Sequence, residues 1–241
     1  MPWWHAVAER DHEIQNPTSR EKIVSLGHAV RLTTASHVLD VACGKAGPAV
    51  ILAREFGCTI TGVERAPEFV SEARRRVGAA HLDDRVEIVE QDVTEFEPAP
   101  GQYDVALCLG ASFAWGSLDR TLAALQPAVR AGGHVAVGEV YLYEPVPEGS
   151  EGYEEFVSLA DTAARFSHAD LALVSFIASS LDDWDRYESL HWRAVEDWLA
   201  ANPDDSDADE FRRHNDSYRR DYLTWGRDSV GWGIFVGRRP A

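Results

Sequence analysis

Between residues 37 and 143 the chain alternates short apolar, β-rich runs with longer stretches whose apolar positions recur at a helical period. That alternation predicts a parallel sheet wound with helices. The predicted strands are His37–Cys43, Cys58–Glu64, Val86–Asp92, Tyr103–Leu109 and His134–Val140, and their continuous apolar character suits burial on both faces. Leu118, Leu122, Leu125 and Val129 fall at i, i+4, i+7 and i+11, and Phe69, Val70, Ala73 and Val77 do much the same, so both segments read as covering helices. Pro48 and Pro67 suit first helical turns, where the missing N–H costs nothing, and Gly132-Gly133 would end the fourth covering helix.

The flanks are helical and rich in tryptophan. Ahead of the sheet, Trp3, Trp4, Val7, Ala8, Asp11 and Ile14 lie at helical spacing, and Thr18-x-x-Glu21 has the form of a capping box for a second helix toward Val30. After residue 143 a loop-like stretch, Glu144–Gly152, leads to a helical segment and an apolar run, Leu171–Ser179. A helix follows with Trp184, Tyr187, Leu190, Ala194 and Trp198 on one face, and a β-like run, Gly231–Gly237, closes the chain. This divides the molecule into an N-terminal helical cap, 1–32, and a sheet domain, 33–241, with a helical insertion at about 182–228.

Composition narrows the partners. Lys+Arg 23 against Asp+Glu 40 leaves a formal charge of −17, which repels phosphate backbones and anionic lipid surfaces, so nucleic acid and membrane are excluded as expected partners. Residues 144–210 carry much of that excess, and the cluster Asp204-Asp205-Ser206-Asp207 with Asp209-Glu210 reads as a solvated loop and helix start rather than a calcium loop. Cys43, Cys58 and Cys108 lie far apart in apolar surroundings and read as reduced, buried thiols. No basic start with an apolar run opens the chain and no apolar stretch approaches roughly 18 residues. A cytoplasmic location is the expectation.

The chemistry concentrates at strand ends. Val38 to Val41 forms a buried strand that breaks into Ala42-Cys43-Gly44-Lys45-Ala46-Gly47 and then opens a helix at Pro48, a turn that lets backbone N–H groups approach a ligand closely. Twenty residues after Gly44 the second strand ends in Glu64, placed to accept both hydroxyls of a ribose. Only Gly44-x-x-Gly47 of the dinucleotide pattern G-x-G-x-x-G is present, which disfavours a pyrophosphate ligand.

At these residues the chain resembles the class I S-adenosylmethionine-dependent methyltransferases, in a small-molecule branch with an N-terminal helical cap. The resemblance implies a doubly wound, mostly parallel seven-stranded sheet of Rossmann-like form, S-adenosylmethionine as cofactor and a small-molecule methyl acceptor. It also implies roles. Asp40 and Gly44 would lie along the methionine part of the cofactor, Ala42 and Gly47 would also bind the cofactor, Glu64 would hold the ribose, and Arg65 would flank the adenine. Gln91, Asp92 and Val93 would form the adenine-edge segment, while Leu109 and Ser112 would line the sulfonium and acceptor. Where the family has glycines on either side of Gly44 this chain has Ala42 and Ala46, so a turn needing positive φ there would be strained.

Missing motifs narrow the acceptor. Leu109-Gly110-Ala111-Ser112-Phe113 stands where amino methyltransferases of bases and proteins often carry an Asn/Asp-Pro-Pro-aromatic turn, and no paired carboxylates follow the fourth and fifth strands to hold a metal. Methyl transfer needs mainly alignment and exclusion of water, with a base only for acceptors such as hydroxyls. Glu139, Tyr141, His5 and His12 are the candidates for that base, against the plainer alternatives of an ion pair, core packing or solvent exposure. Trp3, Trp4, Trp115, Trp184 and Trp225 would either form an aromatic acceptor pocket or fasten cap and insertion to the sheet. Two other functions fit the same sheet: a nicotinamide-dependent oxidoreductase and a non-catalytic S-adenosylmethionine-binding protein.

Overall fold

A computed structural model describes residues 3–150 and 152–241. Two helices, α1 (Trp3–Ala8) and α2 (Arg20–Ala29), precede the first strand. The sheet core runs β1 (His37–Val41), α3 (Gly47–Phe56), β2 (Thr59–Glu64), α4 (Pro67–Ala79), β3 (Val86–Glu90), β4 (Tyr103–Leu109), α5 (Leu118–Leu125) and β5 (Val129–Leu142). Next come α6 (Leu159–His168) and β6 (Ala172–Ala178). The insertion consists of α7 (Leu181–Ala201), α8 (Ala208–Asp221), a π-helical turn (Tyr222–Gly226) and the short α9 (Arg227–Ser229), and β7 (Val230–Arg238) ends the fold.

The seven strands form one sheet in the order β3-β2-β1-β4-β5-β7-β6. All neighbours from β3 to β5 pair in parallel, whereas β7 enters antiparallel between β5 and β6. Consecutive strands run outward from β1 in one direction and from β4 in the other. The strand order therefore reverses between β1 and β4, and the crevice beyond their carboxyl ends is where open α/β sheets take ligands. Apolar clusters cover both faces: Ile23, Leu26, Ile51 and Leu52 pack on one, Leu118, Leu122, Leu125 and Phe166 on the other. Each such side chain contributes about 1.5–3 kcal/mol when fully buried.

The cap helices part company. Ile23 and Leu26 of α2 join the sheet core, while Ala8 of α1 packs with Val195, Leu199 and Phe211 of the insertion. Between them the segment 9–19 is irregular, so the helical spacing that runs on to Ile14 outlasts the helix. Thr18 is not the cap of α2: Ser19 is, its Oγ accepting from the Lys22 N–H, and the buried Thr18 hydroxyl has no partner among the described residues. Gly132-Gly133 does not end a helix either. The helix stops at Leu125 because Pro127 follows in a 3-10 turn, and Val129 with both glycines already belongs to β5. Predicted strand ends at Cys43, Cys58 and Asp92 extend one or two residues beyond the observed strands, since those residues turn into the ligand-side and opposite loops. The three thiols are free and buried. No described helix is long and apolar enough to cross a membrane.

Candidate active site

The turn after β1 holds three residues in the left-handed region: Ala42 (φ 51°), Gly44 (φ 55°) and Ala46 (φ 58°). For alanine that conformation costs about 1–2 kcal/mol, because Cβ crowds the following carbonyl. The expected strain is thus present, and the surroundings maintain it. Ala46 N–H donates to Cys43 O at 2.9 Å, Gly44 N–H to Glu64 Oε2 at 3.0 Å, and Lys45 N–H to Gln15 Oε1 at 2.8 Å. The glycines are needed for space as well as for φ. A Cβ on Gly44 would stand 2.2 Å from Gln15 Oε1, and one on Gly47 would stand 2.0 Å from the Glu13 carbonyl oxygen. The N-terminal segment lies directly on the turn.

Lys45 secures that segment. Its buried ammonium donates to the carbonyls of Glu9 and Arg10, and burial lowers its pKa to about 8. Arg76 adds bonds to the carbonyls of His12 and Glu13 at 3.0 and 2.9 Å. The same stretch is tied to the insertion by Lys22 to Asp183, Ser179 to the Pro17 carbonyl and Arg186 to the Thr18 carbonyl. A buried network completes the connection: Tyr187 Oη donates to Glu9 Oε1 at 3.0 Å, and His191 Nε2 stands 2.9 Å from the same oxygen.

Under this strap lies a cavity of about 490 Å³. Asp40, Ala42, Gly44, Gly47, Glu64 and Arg65 line it, together with Asp92, Val93 and Leu109, and His5 reaches it from α1. Glu64 is held by three backbone donors: Gly44 N–H on Oε2, and Arg65 and Ala66 N–H on Oε1, each near 3 Å. Two carboxylate oxygens offer about four acceptor sites, so one on Oε2 stays available. Asp40 differs. Its buried Oδ2 has no hydrogen-bond partner among the described residues, and burial, with Glu64 nearby, pushes its pKa up to about 7. An orphaned carboxyl oxygen facing a cavity suits an ammonium group. Asp92 accepts from the Thr94 N–H and hydroxyl and from Arg65, which hold its pKa down at about 2.

A second cavity, of about 900 Å³, opens between the paired strands β5 and β7 and the insertion. Gln15, Asn16, Gly110, Phe113 and Tyr187 line both cavities, which therefore meet there. Ser112 and Glu139 line only the larger one. Burial raises the Glu139 pKa, against hydrogen bonding from Ser112 and the Val140 N–H. Trp184 and Trp225 also line this cavity, whereas Trp4 packs edge-on against His214 and Trp115 packs against the core. The Trp3 side chain lies outside what is described.

Three expectations fail on geometry. Tyr141 lines neither cavity; its ring fills the space over Gly231, packs edge-on to Phe176 and Phe235, and its hydroxyl bonds Tyr143 at 2.9 Å. Gln91 turns aside too, its amide donating to the Glu95 carbonyl at 2.9 Å. His12 is buried in the network, with Nε2 at 3.0 Å from the Tyr187 carbonyl, and burial lowers its pKa to about 4. Sequence reasoning missed Gln15 and Asn16. Asn16 donates to the Leu109 carbonyl at 3.0 Å, and its Oδ1 would meet any Cβ on Gly110 at 2.0 Å. Gln-Asn-Pro reads simply as a turn.

A nucleoside-sized cavity at the switch point of a 3-2-1-4-5-7-6 sheet, with a carboxylate ending β2, defines a class of enzyme. The chain belongs to the class I S-adenosylmethionine-dependent methyltransferases, and S-adenosylmethionine is its cofactor. Residues 38–133 match the family described as "Methyltransferase domain". A crystal structure of an S-adenosylmethionine-dependent methyltransferase from Thiobacillus denitrificans in complex with S-adenosyl-L-homocysteine is similar over 98% of both chains, with 30% identity and a TM-score of 0.92. The uncharacterised protein YjhP of Escherichia coli is 29% identical over 243 residues, 98% of each chain. A ubiquinone biosynthesis O-methyltransferase of Xanthomonas euvesicatoria is 27% identical over 224 residues, covering 82% of this chain and 87% of that one. These likenesses set aside the nicotinamide and non-catalytic readings.

Proposed function

We propose that the protein methylates a small-molecule acceptor held in the 900 Å³ cavity, with the cofactor in the 490 Å³ cavity under the N-terminal strap. The observation that carries this reading is the junction of the two cavities at Gln15, Asn16, Gly110, Phe113 and Tyr187. The residues fit the cofactor's groups. Asp40, with its orphaned oxygen, would receive the amino group of the methionine part, and the turn Ala42–Gly47 would lie along it. The remaining acceptor site on Glu64 would bind a ribose hydroxyl, with Arg65 beside the adenine, Val93 against its face and Asp92 at its amine.

S-adenosylmethionine supplies a methyl group already activated on a sulfonium, so the protein's task is to align the acceptor and exclude water. Leu109, Gly110 and Asn16 would set the floor where the cavities meet, and the strap and insertion would shield it. For a hydroxyl acceptor Glu139 is a candidate base, being buried, of raised pKa and open to the acceptor cavity. His5 borders only the cofactor side. Of the cap, 1–32, α1 and the strap would act with the insertion, about 182–228, as the cover of the sheet domain, while α2 packs into the sheet core.

Isothermal titration with S-adenosylhomocysteine tests the cofactor's placement. Glu64→Ala is expected to weaken binding by about 1.5–3 kcal/mol, the value of hydrogen bonds to a charged group. Glu139→Gln is expected to leave it unchanged. Unaltered affinity in Glu64→Ala would reject the orientation proposed.

A further inference from the structure

The acceptor cavity is lined by five carboxyl side chains, Glu139, Glu148, Glu155, Glu188 and Asp221, and one cation, Arg165, among the described residues. Arg165 is already used, donating to the Glu155 carbonyl at 3.4 Å and standing 3.9 Å from Asp119. An anionic acceptor would enter against this charge. A neutral one would leave the most unusual member, Glu188, unexplained.

Glu188 is 2% exposed, yet its Oε2 has no hydrogen-bond partner among the described residues and it lines the cavity. Leaving a buried carboxyl oxygen unsatisfied costs about 1–3 kcal/mol or more. Tyr153, Tyr218, Trp184 and Trp225 line the same cavity, Tyr218 the most exposed of them at 38%. The Glu188 charge is the leading influence that pushes the Tyr218 hydroxyl well up, and it adds to burial in raising Tyr153 to about 12. Trp225 stands edge-on to Tyr153 with ring centroids 5.2 Å apart. Indole and phenol faces attract a cation most strongly where water is excluded.

We infer that the methyl acceptor is a basic amine, which enters as its ammonium form and is recognised by the Glu188 carboxylate and by the aromatic side chains Tyr153, Tyr218, Trp184 and Trp225 that line the same cavity. The inference rests on the function proposed above and names the substrate class of that site. Burial accounts for delivery of a nucleophile. It disfavours both charged forms, raising Glu188 to about 7 and depressing a bound ammonium. Methyl transfer then requires one proton to pass from the ammonium nitrogen to the Glu188 carboxylate, leaving a neutral amine with a free lone pair and a neutral carboxylic acid.

The test is titration calorimetry of the whole protein, saturated with S-adenosylhomocysteine, against phenethylamine and the isosteric phenethyl alcohol, at a pH above the Glu188 titration and below that of the amine. Phenethylamine is expected to bind about tenfold tighter or more than the alcohol. Glu188→Gln is expected to abolish that preference while keeping S-adenosylhomocysteine affinity unchanged, since Glu188 lies outside the cofactor cavity. Equal binding of amine and alcohol to the wild type, or a preference that survives Glu188→Gln, would overturn the inference while leaving the cofactor assignment intact. Failure of S-adenosylhomocysteine itself to bind would instead remove the functional reading on which it stands.

Discussion

Asp40 and Ala46 show how single residues at this site depart from what stability alone would select. The folded Asp40 carboxyl titrates at about 7 against roughly 3.9 in an unfolded chain, so between those values the folded state holds an extra proton. The contribution of Asp40 to stability therefore falls as pH rises through that window, the reverse of a paired carboxylate. An ammonium beside it favours the ionised form and offsets the loss. The rise in melting temperature given by S-adenosylhomocysteine is accordingly expected to grow as pH is raised across about 7, and Asp40→Asn is expected to flatten that dependence. A gain independent of pH in the wild type would contradict the assignment. For Ala46, relief of left-handed strain outweighs the extra freedom glycine gives the unfolded chain. Ala46→Gly is expected to stabilise by roughly 0.5–1 kcal/mol in denaturant unfolding, and a loss of stability would show that the methyl packs more than it strains.

At the scale of elements, the strap between α1 and α2 does most to shape the site. Its backbone is irregular, so Lys45 and Arg76 hold it through its carbonyls, Ser179 and Arg186 at the start of the insertion bind the Pro17 and Thr18 carbonyls, and Lys22 of α2 pairs with Asp183 beside them. Lys45→Met is expected to speed amide hydrogen exchange through residues 9–16 and to weaken S-adenosylhomocysteine binding, with the sheet strands unaffected; unchanged exchange there would mean the strap is held by other contacts. The buried strands, the turn at Gly44 and the carboxylate at Glu64 were legible because period, glycine spacing and strand ends are local properties of a chain. Gln15, Asn16 and Glu188 were not. Their role comes from where distant segments converge, and nothing in Gln-Asn-Pro or in one more acid of an acidic helix records that. Tyr141 failed for a related reason: its position near the end of β5 could be counted, but the space over Gly231 that its ring fills depends on β7, ninety residues later in the chain.

Across the whole molecule, one sheet carries two adjoining cavities, and the terminal strap and late insertion close over both. The formal charge of −17 is expected to repel polyanions, and the carboxyl groups lining the larger cavity have the same sign. A shared fold does not fix the acceptor, so the choice of acceptor would lie in the cavity walls. The most direct measurement is to incubate the purified protein with S-adenosylmethionine labelled on its methyl group and a cell extract, then to separate small molecules from protein and nucleic acid and follow the label by mass spectrometry. An enzyme-dependent product is expected in the small-molecule fraction, with the label on nitrogen. Label confined to the protein or nucleic-acid fraction, or none transferred at all, would contradict it.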